Sequence, residues 1–137
     1  FFFEKNNFIK NDNQKFYSKL EIVNKINVNY DSLERILIPI NIPYIRMNTG
    51  LPIFIDWKHH AFKYDEIIMW KKRIDLAQKF YQTSIFEKQK EILININKID
   101  YISHILIEKK QLKPKCLNLI DHKIFALINA NTCYELD

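Results

Sequence analysis

The side chains best suited to chemistry gather in one stretch of the sequence, between residues 46 and 73. It carries cationic, acidic, hydroxyl and aromatic groups in close succession: Arg46, Thr49, Gly50, Asp56, Lys58, His59, His60, Trp70 and Arg73. Two guanidinium groups, an ammonium group and a hydroxyl suit a phosphate or a carboxylate, which arginine can bind through two parallel hydrogen bonds. We therefore predict a site for an anionic or sugar ligand, formed by Arg46, Thr49, Asp56, Lys58, His60, Trp70 and Arg73.

Each group has a role in this hypothesis. The basic side chains hold the phosphate or carboxylate, and Asp56 accepts hydrogen bonds from ligand hydroxyls. Trp57 or Trp70 stacks on the face of a sugar ring. No catalytic residue, metal site or cofactor is assigned.

Two other interpretations of the same residues stay open. The charged groups could form an Arg–Asp–Arg bracket that ties a loop to a helix, with Trp70 in the core, in a purely structural domain. Alternatively, Asp56-x-Lys58 matches half of the PD-(D/E)xK nuclease pattern, in which a carboxylate holds Mg²⁺ and a lysine activates water. The preceding Pro-Asp of that pattern is missing, so Asp31 or Glu34 would have to supply the second metal ligand. Whether the protein is an enzyme is therefore left undecided.

Several other chemistries are excluded or disfavoured by the sequence. With a single glycine, the chain contains no P-loop, no Gly-rich dinucleotide motif and no nucleophile elbow. No two of the four histidines stand at i, i+3 or i+4, and no cysteine lies at a zinc-ligand spacing from them. His104, alone in an apolar run, is typical of a core histidine.

The first half of the chain predicts a helix and two strands around these residues. Asp12 or Asn13 can cap a helix with a mostly apolar stripe at Phe16, Leu20, Val23 and Asn27. Residues 35–40 and 52–57 are short apolar runs typical of buried strands, and prolines end the first. Gly50 is expected where the backbone needs a positive φ or a close approach.

The second half predicts two helices followed by strands. Residues 65–82 form a helix with apolar side chains at Ile67, Trp70, Ile74, Ala77 and Tyr81. Residues 84–87 form an S-x-x-E capping box that opens a helix reaching about residue 97. Residues 100–108 are a strand, 115–120 and 123–129 form a hairpin, and 132–136 add an edge strand.

This order of elements predicts an α/β fold: a small three-layer sandwich whose mostly parallel sheet ends in an antiparallel C-terminal hairpin. Strands separated by helices favour parallel pairing. We expect one domain over residues 1–137, because no repeat or linker divides the chain.

The net charge of +5 comes from 21 basic and 16 acidic residues. Ile, Lys and Asn supply 56 of the 137 residues, and only three of the basic residues are arginines, as an AT-rich genome would produce. A dedicated nucleic-acid surface is therefore not favoured. Cys116 and Cys133 could be bridged if the segments that carry them are neighbours, and the redox compartment stays open.

The chain begins Phe1-Phe2-Phe3-Glu4, without an initiator Met, and we do not expect these residues to be a signal peptide. We expect a fragment of a longer protein. The most apolar run, residues 36–45, is too short to span a bilayer.

Residues 19–73 resemble a soluble extracytoplasmic segment of bacterial multi-spanning membrane proteins related to the C-type glycosyltransferases. That domain of unknown function follows the last membrane helix. Its pattern begins with a strand that contains Ile-Pro, followed by an Arg and a Thr-Gly pair. Next come a strand that ends in Asp-aromatic-Lys, a loop, and a helix with the motif W-x-x-R. The matching residues are Ile38-Pro39, Arg46, Thr49-Gly50, Ile55-Asp56-Trp57-Lys58, His60-Ala61-Phe62 and Trp70-Lys71-Lys72-Arg73, and Asp100-Tyr101-Ile102 and the terminal hairpin are also similar. Ala61 departs from the usual Pro.

The resemblance implies a non-catalytic accessory domain, since the catalytic carboxylates of C-type transferases lie in loops of the membrane part. Its partners would be a glycan or sugar-phosphate ligand, a neighbouring protein and the parent membrane domain. Its location would be the extracytoplasmic, periplasmic face of the membrane, with the cytoplasm as the alternative.

Overall fold

A computed structural model of the chain describes residues 21–22, 25–26, 34–42, 45, 50–55 and 63–136. Within these ranges the fold is a small mixture of helices and strands, which agrees with the predicted α/β class. In chain order the elements are β1 (Ile36–Leu37), α1 (Tyr64–Gln82), α2 (Phe86–Asn97), β2 (His104–Glu108), β3 (Phe125–Asn129) and α3 (Ala130–Tyr134). Residues 21–22, 25–26 and 45 are also helical.

The three strands form one mixed sheet in the order β1-β2-β3. β1 runs parallel to β2 with Ile36 opposite His104, and β2 runs antiparallel to β3 with Leu106 opposite Leu127. The segment after Gly50 extends the parallel part, because Ile53 makes an isolated parallel bridge to Ile36. The predicted strand over 52–57 is therefore described only as this bridge, and residues 56 and 57 lie outside the described ranges.

Both faces of the sheet are buried, which explains why the strands are continuously apolar. On β2, Ile105 and Ile107 face a core shared with Phe80 on α1 and Leu93 on α2, whereas Leu106 faces a second core. The second core contains the helical residues Ile22 and Ile26. These two lie within the predicted first helix, whose proposed stripe (Phe16, Leu20, Val23 and Asn27) lies outside the described residues.

Helix α1 confirms the predicted helix over 65–82 but buries a slightly different face. Ile74, Ala77 and Phe80 are its buried residues, and Trp70 and Tyr81 pack at the margin of the core. Ile67 was expected in the core and is instead 43 % exposed. All of the first six residues of the helix are exposed, so the buried face of α1 begins only after them.

Helix α2 begins one residue later than the predicted capping box requires. Its N-cap is Ile85, which offers no side-chain oxygen, so the Ser84–Glu87 capping box is wrong. Thr83 takes over part of this role, because its Oγ1 accepts from the Ile85 amide at 3.4 Å and its carbonyl accepts from the Gln89 side chain at 2.8 Å.

The C-terminal region differs most from the prediction. The strand predicted over 100–108 begins only at His104, and the partner of β3 is β2 rather than residues 115–120. Residues 132–136 are not an edge strand, because Thr132–Tyr134 lie in helix α3. The Asn129 side chain caps this helix by accepting from the Thr132 amide at 3.0 Å, which outweighs the β-propensity of the following residues.

Gly50 has a φ of +67°, which confirms the prediction of a positive φ. A Cβ placed there would meet no atom within 4 Å. The backbone conformation, rather than a close approach, therefore accounts for the only glycine of the chain.

Candidate functional site

Five of the seven predicted ligand-binding residues lie outside the described residues: Arg46, Thr49, Asp56, Lys58 and His60. Trp70 and Arg73 are described, and both lie on α1. The local structure around the candidate site can therefore be built from α1, from the segment 50–55 that leads to Asp56, and from the groups that contact them.

Trp70 is half-buried against the core on the α1 side of the sheet. It lies one turn before Arg73, as the W-x-x-R spacing requires.

The Arg73 guanidinium bridges the segment before Asp56 and the loop after α2. Its Nη1 donates to the Phe54 carbonyl at 3.2 Å, and its Cζ lies 5.0 Å from the centroid of the Phe54 ring. Its Nη2 forms an ion pair with Oδ2 of Asp100. Arg73 is thus held against Phe54, which stands two residues before Asp56 in the sequence. Its other partner is the carboxylate of Asp100.

Asp100 binds a second arginine as well. Arg35, just before β1, donates from Nη1 to the same Oδ2 at 3.0 Å. The three side chains are 21–33 % exposed, so water screens them only in part. We call Arg35, Asp100 and Arg73 the arginine bracket. It connects β1, α1 and the loop between α2 and β2.

The arginine bracket has the charge and geometry of an anion site that the chain fills with its own carboxylate. Two guanidinium groups converge on Asp100 as they would on a phosphate or carboxylate. Asp100 follows the C-terminal end of α2, where a negative charge is unfavourable to the helix dipole, so the arginines also stabilise it there. This arrangement is an Arg–Asp–Arg bracket of the kind considered from the sequence, with Arg35 and Asp100 as members that the sequence did not indicate.

A serine and a histidine lie beside the arginine bracket, but their geometry is not that of a nucleophile and its base. The Ser103 hydroxyl donates to the Arg35 carbonyl at 3.0 Å and accepts from the Arg35 amide at 3.2 Å. Since that hydroxyl proton is already used, Nδ1 of His104, 2.9 Å away, is placed to donate rather than to accept. Burial lowers the pKa of His104, and the nearby Glu34 carboxylate opposes this shift. These contacts hold β1 and β2 in register.

Tyr81 makes a further polar contact inside the sheet. Its hydroxyl lies 2.8 Å from the Leu106 carbonyl and 3.0 Å from the Leu37 carbonyl, between the two parallel strands. Burial raises the pKa of Tyr81 well above its usual range, with a smaller contribution from Tyr134, so the hydroxyl stays a donor.

Cys116 and Cys133, whose pairing the sequence left open, form a disulfide with their Cα atoms 4.8 Å apart. Both residues are buried. The bond joins the connection between β2 and β3 to helix α3. Next to it, the Tyr134 ring stacks on Phe86 at 5.0 Å and its hydroxyl donates to Gln89, which fixes α3 against α2.

A metal-binding cluster and a membrane-spanning helix are both absent from the part of the chain that the structure describes. No group of three or more His, Cys, Asp or Glu side chains there is arranged to hold a metal ion. Asp56 and Lys58, on which the nuclease hypothesis depends, are not in that part. No helix among these residues is both long enough and apolar enough to cross a bilayer.

We compared the chain with protein-family models, with curated proteins and with solved structures. None of the three comparisons finds a match.

The groups that the sequence missed are Arg35 and Asp100. They lie 65 residues apart, and no local pattern connects them. One signal was available: the chain has three arginines among 21 basic residues, so each arginine is a candidate for a contact that lysine cannot make.

Proposed function

We propose that this chain is a non-catalytic accessory domain on the extracytoplasmic side of a bacterial membrane. It belongs to a larger membrane protein and binds an anionic or sugar ligand or a neighbouring protein. The observation that carries the proposal is the buried Cys116–Cys133 disulfide. Such bonds persist in oxidising compartments and are rare where glutathione and thioredoxin keep thiols reduced.

We further propose that the architecture is a three-layer sandwich. The two cores on opposite faces of the sheet support this proposal. Helices α1 and α2 would form one outer layer, and the segment with the helical residues Ile22 and Ile26 would form the other.

For the ligand we retain the predicted set of Arg46, Thr49, Asp56, Lys58, His60, Trp70 and Arg73. The contact of Arg73 with the Phe54 carbonyl supports it, because this contact brings α1 against the segment that leads to Asp56. The guanidinium carries five N–H donors, of which the Phe54 and Asp100 contacts use only a part. A ligand anion bound near Asp56 could therefore share Arg73 with Asp100.

The location can be tested on the protein expressed from its own gene. Cells are lysed in an alkylating reagent without reductant and membranes are separated. Each fraction is then denatured in the same reagent, so that burial cannot shield a free thiol, and Cys116 and Cys133 are analysed by mass spectrometry. We expect the protein in the membrane fraction, with both cysteines protected until a reductant is added. A protein in the soluble fraction with both cysteines alkylated would overturn the proposal.

The ligand can be tested separately with a sugar phosphate and with inorganic phosphate as probes. Binding should raise Tm, and Arg46→Ala should abolish this increase. Lys88→Ala, on the exposed surface of α2, removes the same charge outside the predicted set; it is the matched control and should keep the increase. An equal response from both variants would contradict the ligand site. Mg²⁺-dependent cleavage of a nucleic acid, lost in Asp56→Ala, would instead support the nuclease alternative.

A further inference from the structure

The connection between β2 and β3 is the longest described segment outside the main helices and strands. It runs over the 16 residues from Lys109 to Ile124, of which only Lys109–Gln111 form a short 3₁₀ turn. Loops of this length without regular structure are uncommon in small domains and usually carry a function when they are ordered. We call residues 109–124 the basic loop.

The basic loop contains most of the net charge of the protein. Five of its residues are lysines and one is an aspartate, so it contributes +4 to the total of +5. Lys109, Lys110, Lys115 and Lys123 are exposed. Two of them have carboxylate neighbours at the surface, Glu108 at 3.0 Å from Lys110 and Glu135 at 3.9 Å from Lys115. Exposed pairs of this kind are weak and leave the lysines able to meet an anionic surface.

The same loop exposes apolar side chains among its lysines. Leu117 is 73 % exposed and Ile124 is 44 % exposed. Leu117 has the most exposed apolar side chain of the loop. It directly follows Cys116, so the disulfide restrains the backbone next to it.

Polar contacts fix the rest of the basic loop. The Asn118 side chain accepts from the amides of Ile120 and Leu127, at 3.1 and 3.2 Å. Buried His122 accepts at Nδ1 from the amides of Ile124 and Phe125, at 3.0 and 3.1 Å. The loop is therefore pre-organised, and a partner would not have to order it on binding.

We propose that the basic loop docks on an anionic phospholipid surface, with its lysines near the headgroups and Leu117 inserted between them. The excess of lysines in the loop complements such a surface, and the exposed leucine supplies the apolar contact that peripheral binding also needs. Nucleic acid suits this loop less well, because residues 109–124 contain no arginine and no Phe, Tyr or Trp for base contacts or stacking, and His122 is buried. This inference rests on the proposed location beside a membrane.

The test is sedimentation of the folded, oxidised domain with vesicles of phosphatidylcholine, with or without about 30 % phosphatidylglycerol. We expect binding only to the anionic vesicles, and its loss at about 0.5 M salt. Since each lysine near such a surface contributes about fivefold in affinity, Lys110→Gln/Lys115→Gln/Lys123→Gln should weaken binding at least tenfold. Leu117→Ser should also weaken it, and Lys71→Gln/Lys72→Gln/Lys88→Gln, with the same charge change on α1 and α2, should not.

Three results would overturn the docking site: no sedimentation with anionic vesicles, equal sedimentation with neutral ones, or an equal loss in the two triple variants. Tight binding of a nucleic-acid oligonucleotide with no binding to vesicles would overturn it as well. The thiol-trapping experiment on the native protein measures location independently. A protein with an intact disulfide that ignores vesicles would thus refute the docking surface alone.

Discussion

The arginine bracket allows a quantitative test of what holds β1, α1 and the α2–β2 loop together. Asp100→Asn keeps the shape of the side chain but removes the charge that two guanidinium groups share. Fully buried charge-assisted hydrogen bonds contribute about 1.5–3 kcal/mol each, and fully exposed pairs about 0.2–1 kcal/mol. With side chains 21–33 % exposed, the bracket lies between these limits. We expect Asp100→Asn to lower the free energy of unfolding by about 2–3 kcal/mol, the sum of two intermediate contributions.

Urea unfolding followed by circular dichroism measures this loss. At a slope of about 1.5 kcal/mol per molar, the midpoint should fall by about 1.3–2 M with the slope unchanged. The matched control is Asp75→Asn, which neutralises an exposed carboxylate on α1 and should change stability by less than about 0.5 kcal/mol. If Asp100→Asn unfolds at the same urea concentration as this control, the bracket contributes nothing and the reasoning is refuted.

A double-mutant cycle isolates the Arg35 contact. Arg35→Met should cost about 1 kcal/mol in the wild-type background, because it removes one of the two charge-assisted bonds to Asp100. In the Asp100→Asn background the same change should cost little or should stabilise, since it removes one of two like charges left without their counterion. Equal costs in both backgrounds would show that Arg35 acts independently of Asp100.

Three more changes test other parts of the structure. Replacing Cys116 and Cys133 by Ala should lower the free energy of unfolding by about 3 kcal/mol, as expected for a 17-residue separation, and a loss under about 1 kcal/mol in a thermal melt would contradict this. Tyr81→Phe should cost about 1–2 kcal/mol in urea, because two strand carbonyls lose their donor, whereas Tyr64→Phe on an exposed ring should cost nothing measurable; similar costs would argue against the contact. Folding lowers the pKa of His104 below its ordinary value of 6.5. Between the folded-state and unfolded-state pKa values, the unfolded chain binds a proton that the folded chain does not. The stability that neutral His104 contributes is therefore present above pH 6.5 and is lost as the pH falls toward the folded-state pKa. His104→Gln should flatten the pH dependence of Tm over that window, and an unchanged slope would exclude His104 as its source.

The sequence predicted the features that local patterns determine. The helical periodicity located α1, and the rarity of glycine indicated the positive φ of Gly50. The S-x-x-E pattern placed the start of α2 to within one residue, although the capping box itself does not form. It failed where distant parts of the chain decide. β3 pairs with β2 across 16 intervening residues, and α3 forms because Asn129 supplies a cap to residues that would otherwise favour a strand.

The candidate site follows the same division. Trp70 and Arg73 were recognisable from the W-x-x-R spacing on one helix face, and α1 does carry them one turn apart. The partner of Arg73 was not recognisable, because Asp100 lies beyond α2 in the sequence and only the tertiary fold brings it to Arg73. Arg46, Thr49, Asp56, Lys58 and His60 remain predictions from the sequence.

The contacts of Asn118 and Leu119 with β3 also affect how the protein behaves at high concentration. The Asn118 side chain accepts from the Leu127 amide, and the Leu119 amide donates to the Leu127 carbonyl at 2.8 Å. The backbone N–H and C=O of Leu127 therefore both have hydrogen-bond partners in this segment. Without these partners the edge of β3 would be open, and open strand edges pair readily with other chains. Phe125–Asn129 is apolar enough to do so. Cys116 lies two residues before Asn118, so the disulfide that joins it to α3 also holds Asn118 and Leu119 against β3. Reduction should therefore cause aggregation through β3, and the protein should be purified and stored without reductant.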